Sequence, residues 1–146
     1  MLTSTIFTLF LICVAITDFR ERMIYDKVLF VSAAIFFPLN FFEEFVNFPD
    51  AIFNAGLGFA TMFAIYKFSG EGMGGGDVKF VSTLGLWLGG GLFPAIFTAA
   101  IFAAVFTLPL VLKSGDVKIK IPFGVFLSIG AFLQFVFGIN FFEVLP

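Results

Sequence analysis

Two aspartates stand at the edges of apolar segments and are the residues of this chain best suited to chemistry. Asp18 ends the first apolar segment, in "AITDFRERMIYDK", and Asp77 precedes the fourth, in "GMGGGDVKF". Paired carboxylates can hold a water molecule: the ionised one removes a proton from the water, and the protonated one polarises a peptide carbonyl. Two close carboxylates do not both ionise cheaply, so they share a proton. The pattern predicts an aspartic peptidase with Asp18 and Asp77 as its catalytic residues.

Each aspartate also has a structural explanation that involves no catalysis. Asp77 precedes a predicted helix, where aspartate is a favoured N-cap residue, and Asp18 lies among basic neighbours. The tetrapeptide Gly-x-Gly-Asp carries little information in a chain with 15 glycines. What favours catalysis is that two aspartates, on different segments, are predicted to lie at the same depth in a membrane.

The glycines before Asp77 suit a close approach of two chains. Gly72, Gly74, Gly75 and Gly76 lack a Cβ atom, so their backbone can adopt positive φ and admit a second strand. In a peptidase, this gap would receive an extended substrate beside Asp77. In the alternative interpretation, the same residues form a flexible loop between two membrane segments.

The residue types that the chain lacks limit its chemistry. It has no histidine and a single cysteine, Cys13. Histidine metal sites, Ser-His-Asp triads, Cys-His dyads and internal disulfides are therefore excluded. We expect a site that uses no metal and no cofactor, and a protein that does not bind nucleic acid.

The composition is that of a protein embedded in lipid. Of its 146 residues, 60% are hydrophobic and only 12% are charged, whereas soluble domains carry roughly 25% charged residues. A water-soluble fold of this size could not bury so much apolar surface. We predict an all-α, polytopic membrane protein that forms one domain over residues 1–146.

Six transmembrane helices position the aspartates in this prediction. The uncharged stretch at 80–112 would be about 50 Å long as one helix, which exceeds a hydrocarbon core of about 30 Å. It contains the breaker cluster "GGGLFP", so we divide it into two helices. The predicted spans are 2–17, 28–42, 51–66, 78–90, 94–112 and 121–142.

The basic residues give the orientation of these spans. With six spans, all of them fall in, or within two residues of, the first, third and fifth connections: Arg20, Arg22, Lys27, Lys67, Lys79, Lys113, Lys118 and Lys120. Basic residues near span ends favour the cytoplasmic side. Both termini are therefore predicted to face outward, and the two aspartates to face the cytoplasm.

Three segments occur in this order and together extend over most of the chain: "TDFRERMIYDKV", "EGMGGGDVKFVSTLGLWLG" and "IPFGVFLSIG". They resemble the first-aspartate segment, the signature and the Pro-Phe-Gly segment of the type IV prepilin peptidases, the GxGD aspartic proteases of bacterial membranes. The resemblance implies an endopeptidase of the inner membrane. It would remove the basic leader of prepilins or pseudopilins at the cytoplasmic face, with Asp18 and Asp77 as its catalytic residues.

The chain departs from the family pattern in two places. Asp26 stands where the family usually has Asn, which makes it a competitor for the role of Asp18; we prefer Asp18 because it precedes the Arg20/Arg22 pattern. Larger members carry an amino-terminal domain with paired cysteines that methylates the new amino terminus, and nothing here matches it. We expect a short-form peptidase without methyltransferase activity, or the catalytic core of a larger enzyme.

Two charged residues flank the glycines and have open roles. Glu71 either orients the loop or meets the positive leader of a substrate, and an exposed loop acid explains it equally well. Lys79, two residues beyond Asp77, is predicted to steady the ionised form of that aspartate. Both are candidate substrate-binding or loop residues, together with Gly74, Gly75 and Gly76.

Two other functions stay open at this point. An archaeal preflagellin peptidase belongs to the same GxGD class and differs mainly in its substrate. A non-enzymatic membrane subunit, for transport or secretion, could carry two inner-face acids by coincidence. Cleavage of a leader-bearing pilin that depends on both Asp18 and Asp77 separates the enzymes from the subunit.

Overall fold

The computed structural model describes residues 2–69, 73–115 and 121–138, which form six α-helices and no strand. The helices are α1 (Leu2–Glu21), α2 (Asp26–Glu43), α3 (Phe48–Ser69), α4 (Gly75–Leu88), α5 (Leu92–Ser114) and α6 (Phe123–Phe137), with a 3-10 turn at Gly89–Gly91 between α4 and α5. The predicted all-α class is confirmed. Each predicted span has a corresponding helix, and several helices extend into the charged flanks.

Within the described residues, three helical runs are long and apolar enough to cross a membrane. They are α1, α3 and the continuous run Gly75–Ser114, which contains α4, the 3-10 turn and α5; α6 is apolar but shorter. The chain is thus a multi-pass membrane protein. That all six helices cross the bilayer stays a prediction, because α4 alone has 14 residues and would reach only about 21 Å.

The break between α4 and α5 occurs in the predicted glycine cluster. Gly89 has a φ of +51° and its N–H donates to the carbonyl of Gly85. With a ψ of −127°, this positive-φ conformation strains a residue with a side chain, and a Cβ atom on Gly89 would lie 2.9 Å from Val46 Cγ1. The glycine therefore ends α4 and lets the α2–α3 connection pack against the turn.

Small residues bring α4 into close contact with α3. A Cβ atom on Gly85 would lie 2.6 Å from both the Cα and the N of Ala55, so the two backbones touch at this point. One turn away, the Ser82 hydroxyl donates to the carbonyl of Ala55 at 3.1 Å. Small side chains allow this approach between membrane helices, and the contact fixes α4, the helix that carries Asp77.

An aromatic cluster around Trp87 ties α4 to two other helices. The Trp87 ring lies 5.0 Å from the ring of Phe7 on α1 and 5.7 Å from that of Phe36 on α2. Its indole N–H donates to the Ser32 hydroxyl at 2.9 Å, which satisfies the polar atom of a side chain that is 1% exposed. The cluster makes α4 the central helix of the bundle.

Candidate active site

Asp18 lies in the last turn of α1 and is 5% exposed. The helix ends three residues later, at Glu21, because Arg22 adopts a φ of +52° and donates its N–H to the Asp18 carbonyl at 2.9 Å. A left-handed residue that returns its N–H to the helix is a common helix C-terminus. The side chain of Asp18 is thereby held at the end of α1, where the chain turns toward α2.

The first turn of α6 covers the Asp18 carboxylate. The backbone N–H of Val125 donates to Asp18 Oδ2 at 3.2 Å. Backbone N–H groups in the first turn of a helix have no partner within that helix, so they are available to an anion. Asp18 therefore joins the end of α1 to the start of α6.

Asp77 lies in the first turn of α4 and is 9% exposed. The N-cap of this helix is Gly74, so Asp77 is its third residue and not its N-cap. The Asp77 N–H donates to the Gly74 carbonyl at 3.1 Å, which closes the first turn of the helix. A carboxylate at this position is favoured by the partial positive charge of the helix N-terminus.

The two carboxylates open into one pocket of about 250 Å³. The pocket has room for several water molecules. The residues that line it are Asp18, Arg22, Met23, Ile24, Gly74, Gly75, Gly76 and Asp77. Two buried carboxylates beside a water-sized space are the components that aspartic hydrolysis requires.

A larger cavity, of about 970 Å³, lies where α2 connects to α3. Its one acidic lining residue is Glu44, and its other lining residues are Phe37, Asn40, Phe41, Val46, Asn47, Phe48 and Pro49. It therefore offers no pair of carboxylates, and its size does not make it a hydrolytic site.

The glycines before Asp77 leave space for neighbouring groups, and their backbone conformation is an ordinary one. Gly74 has a φ of −77°, and neither Gly75 nor Gly76 is left-handed. A Cβ atom on Gly76 would lie 3.1 Å from the Cβ of Ile24, whereas one on Gly75 would meet nothing within 4 Å. Gly76 thus allows the α1–α2 connection to pack on α4, and Gly75 leaves one side of the pocket open. Gly72 lies outside the described residues.

Lys79, which was predicted to steady Asp77, pairs with a different acid. Lys79 Nζ forms an ion pair with Asp26 Oδ2 at 2.6 Å, and both side chains are more than half exposed. Lys79 therefore joins α4 to the start of α2, and this contact does not support its predicted role beside Asp77. Asp26, the predicted competitor of Asp18, does not line the pocket. Glu71 lies outside the described residues.

Sequence reasoning missed the residues that hold and enclose Asp18. Gly124 and Val125 belong to the segment "IPFGVFLSIG", which drew attention only through its resemblance to a family and carries no titratable group. Ile24 packs beside both Gly76 and Gly124, where a Cβ atom on either glycine would meet it. In the sequence, it is an ordinary apolar residue. The one feature of this segment that could have indicated a close contact is Gly124, the glycine that follows Pro122 and Phe123.

Comparison with known proteins gives one family. The sequence profile described as "Type IV leader peptidase family" matches residues 5–112, a range that contains both aspartates. No solved structure gives a significant match.

Two curated relatives of the chain have the same name. The chain is 29% identical over 141 residues to a "Prepilin leader peptidase/N-methyltransferase" from Dichelobacter nodosus, a match that covers 92% of this chain and 48% of that protein. A protein of the same name from Pseudomonas putida is 25% identical over 135 residues, which cover 88% of this chain and 47% of the relative. The chain therefore spans about half the length of the curated relatives it matches.

Proposed function

Because the chain belongs to the type IV leader peptidase family, we propose that it is a membrane aspartic endopeptidase that cleaves the leader peptide of type IV prepilins or pseudopilins. We assign catalysis to Asp18 and Asp77 and treat residues 1–146 as one peptidase domain. The observation that carries this proposal is the convergence of these two buried carboxylates, from α1 and α4, on one pocket.

The proposed reaction uses one water molecule and a single shared proton. The ionised carboxylate takes a proton from the water as its oxygen attacks the scissile carbonyl carbon, and the protonated carboxyl hydrogen-bonds to the carbonyl oxygen. The resulting tetrahedral intermediate breaks its C–N bond when a carboxyl group gives a proton to the leaving nitrogen. The products are a leader with a new carboxyl terminus and a mature chain with a new amino terminus.

The substrate must reach the pocket as an extended strand. In a helix, the scissile carbonyl would be hydrogen-bonded within the helix and shielded by neighbouring side chains. Gly75, which has open space where a side chain would lie, is the position at which a strand can lie against the start of α4. We propose that the peptide bond enters along this edge, with Gly74 and Gly76 on either side.

We place the active site at the cytoplasmic face of the inner membrane. Basic residues lie at the same end of the bundle as the two aspartates: Arg20 and Arg22 follow Asp18, Lys67 ends α3, and Lys79 follows Asp77. Basic residues at span ends favour the cytoplasm. This proposal includes six spans and termini on the outer side.

Labelling of single cysteines tests this topology. Replacing Cys13 with Ser removes the one native cysteine, after which Glu44→Cys and Lys113→Cys each report one side. A membrane-impermeant maleimide applied to intact spheroplasts should label position 44 and leave position 113 unlabelled until the membrane is opened. Labelling of position 113 alone would reverse the orientation and place the aspartates outside.

Cleavage of a leader-bearing prepilin by the purified full chain tests the activity. The chain in detergent should shorten the prepilin, and both Asp18→Asn and Asp77→Asn should lower the rate at least about 10³-fold, because each variant removes a proton-transfer group. Asp26→Asn is the matched control, since Asp26 is an exposed acid outside the pocket, and should keep the rate within about twofold. Full activity in either catalytic variant would end the two-aspartate mechanism.

The same assay addresses the second activity in the relatives' name. Mass spectrometry of the mature pilin, with a methyl donor present, distinguishes a free amino terminus from a methylated one. We predict a free amino terminus. No cleavage of any prepilin in a broad panel, by a chain that is folded, would favour a non-enzymatic membrane subunit.

A further inference from the structure

The first turn of α6 encloses the carboxylate of Asp18 so closely that only a glycine fits beside it. A Cβ atom on Gly124 would lie 2.8 Å from Asp18 Oδ2, 3.0 Å from Asp18 Cγ and 3.0 Å from Ile24 Cδ1. Gly124 is buried, as is Asp18. We propose that Gly124 is a positioning residue, which sets the orientation of the Asp18 carboxylate for hydrolysis. This inference rests on the proposed peptidase function.

A hydrogen bond fixes the orientation that Gly124 permits. The Val125 N–H lies 3.2 Å from Asp18 Oδ2 and also 3.2 Å from the carbonyl of Pro122, so it is shared between two acceptors. In this inference, the Asp18 oxygen bound to α6 is held in place and the other oxygen acts on the attacking water. Rotation of the carboxylate out of its present plane would weaken the bond to α6.

A side chain at position 124 would act on catalysis more than on folding. The atoms that an added methyl group meets are the terminal atoms of Asp18 and Ile24, which can rotate away without moving any backbone. The fold therefore persists, but the carboxylate is displaced. Because a misplacement of about 1 Å can lower a rate about 10²-fold, Gly124→Ala should lower kcat by about that factor.

Another glycine on the same helix supplies the matched control. A Cβ atom on Gly130 would lie 2.3 Å from the carbonyl oxygen of Ala95 and 2.9 Å from the N of Ala99. These are backbone atoms of α5, so α5 and α6 must move apart to accommodate it. Gly130→Ala should therefore lower the stability of the bundle, while a folded molecule keeps Asp18 in place.

The first experiment compares these two variants in the full chain. We expect Gly124→Ala to lower kcat about 10²-fold, with KM within about threefold and an unfolding temperature close to that of the wild type. Gly130→Ala should lower the unfolding temperature and keep kcat per folded molecule within about threefold. An unchanged kcat in Gly124→Ala, or an activity loss that matches its loss of folded protein, would overturn the inference.

A second measurement does not depend on cleavage. In the ¹⁵N-labelled chain in detergent, removing the acceptor with Asp18→Ala should move the Val125 amide proton resonance upfield, while Asp26→Ala should leave it unchanged. An unchanged Val125 resonance in Asp18→Ala would show that α6 does not hold the carboxylate. If the wild type cleaves no prepilin, the proposed function fails, and this measurement still decides whether the contact exists.

Discussion

The stability of the bundle should depend strongly on Gly85, where the backbones of α3 and α4 touch. Gly85→Ala places a Cβ atom 2.6 Å from both the Cα and the N of Ala55, whereas an ordinary carbon contact is about 3.5–4.0 Å. The two helices must therefore separate by about 1 Å. The atoms in the way belong to the backbone, so no side-chain rotation can relieve the contact.

The magnitude combines two opposing effects. Overpacking of a tight interface costs about 1–3 kcal/mol, and the gain in helix propensity from Gly to Ala offsets up to about 1 kcal/mol of it. We expect Gly85→Ala to lower the free energy of unfolding by about 1–2 kcal/mol. Because α4 carries Asp77, the same separation should also lower the cleavage rate.

Gly56 on α3 provides the control for this experiment. A Cβ atom there meets nothing within 4 Å, so Gly56→Ala should gain helix propensity of about 0.5–1 kcal/mol without any clash. The fluorescence of Trp87, the only tryptophan and 1% exposed in the aromatic cluster, reports unfolding in detergent. Equal or higher stability in Gly85→Ala than in the wild type would refute the backbone contact between α3 and α4.

Two further substitutions test contacts around α4. Lys79→Met removes an ion pair whose side chains are 53% and 66% exposed. It should change the free energy of unfolding by less than about 1 kcal/mol and keep the cleavage rate within about twofold. A large loss of cleavage with intact folding would return Lys79 to the active site. Trp87→Phe keeps an aromatic ring but leaves the buried Ser32 hydroxyl without its donor. Chemical denaturation should show that the free energy of unfolding falls by about 1–3 kcal/mol. An unchanged free energy of unfolding would mean that the hydrogen bond contributes nothing to stability.

The sequence predicted the parts of this structure that depend on local chemistry. The glycine cluster at 89–91 breaks the helix at the expected position, since the conformation of Gly89 strains any other residue type. Asp18 and Asp77 meet in one pocket, as their positions at opposite ends of apolar segments predicted. Both features follow from where apolar segments begin and end.

The contacts between helices could not be predicted, because lipid removes the usual pattern. In a soluble helix, the apolar face indicates the core; here the outer face is also apolar. Phe36 is fully buried and its neighbour Phe37 is 46% exposed, although the residue type is the same. The sequence therefore does not indicate how each helix is rotated about its axis. That rotation decides that Lys79 contacts Asp26 and that α6 contacts Asp18.

The position of the candidate site follows from the way helices end in a membrane. Within the hydrocarbon core, the backbone groups of a helix are satisfied inside the helix, so donors for a ligand become available only at helix ends. The Val125 N–H at the start of α6 donates to Asp18, and Asp77 lies in the first turn of α4. A hydrolytic site needs polar donors and water together, and helix ends can offer both. In the Pro-Phe-Gly segment, Gly124 is small enough to leave the Asp18 carboxylate against a backbone N–H group. In the Gly-x-Gly-Asp segment, Gly76 instead lets Ile24 of the α1–α2 connection pack beside α4, so that both carboxylates line one pocket.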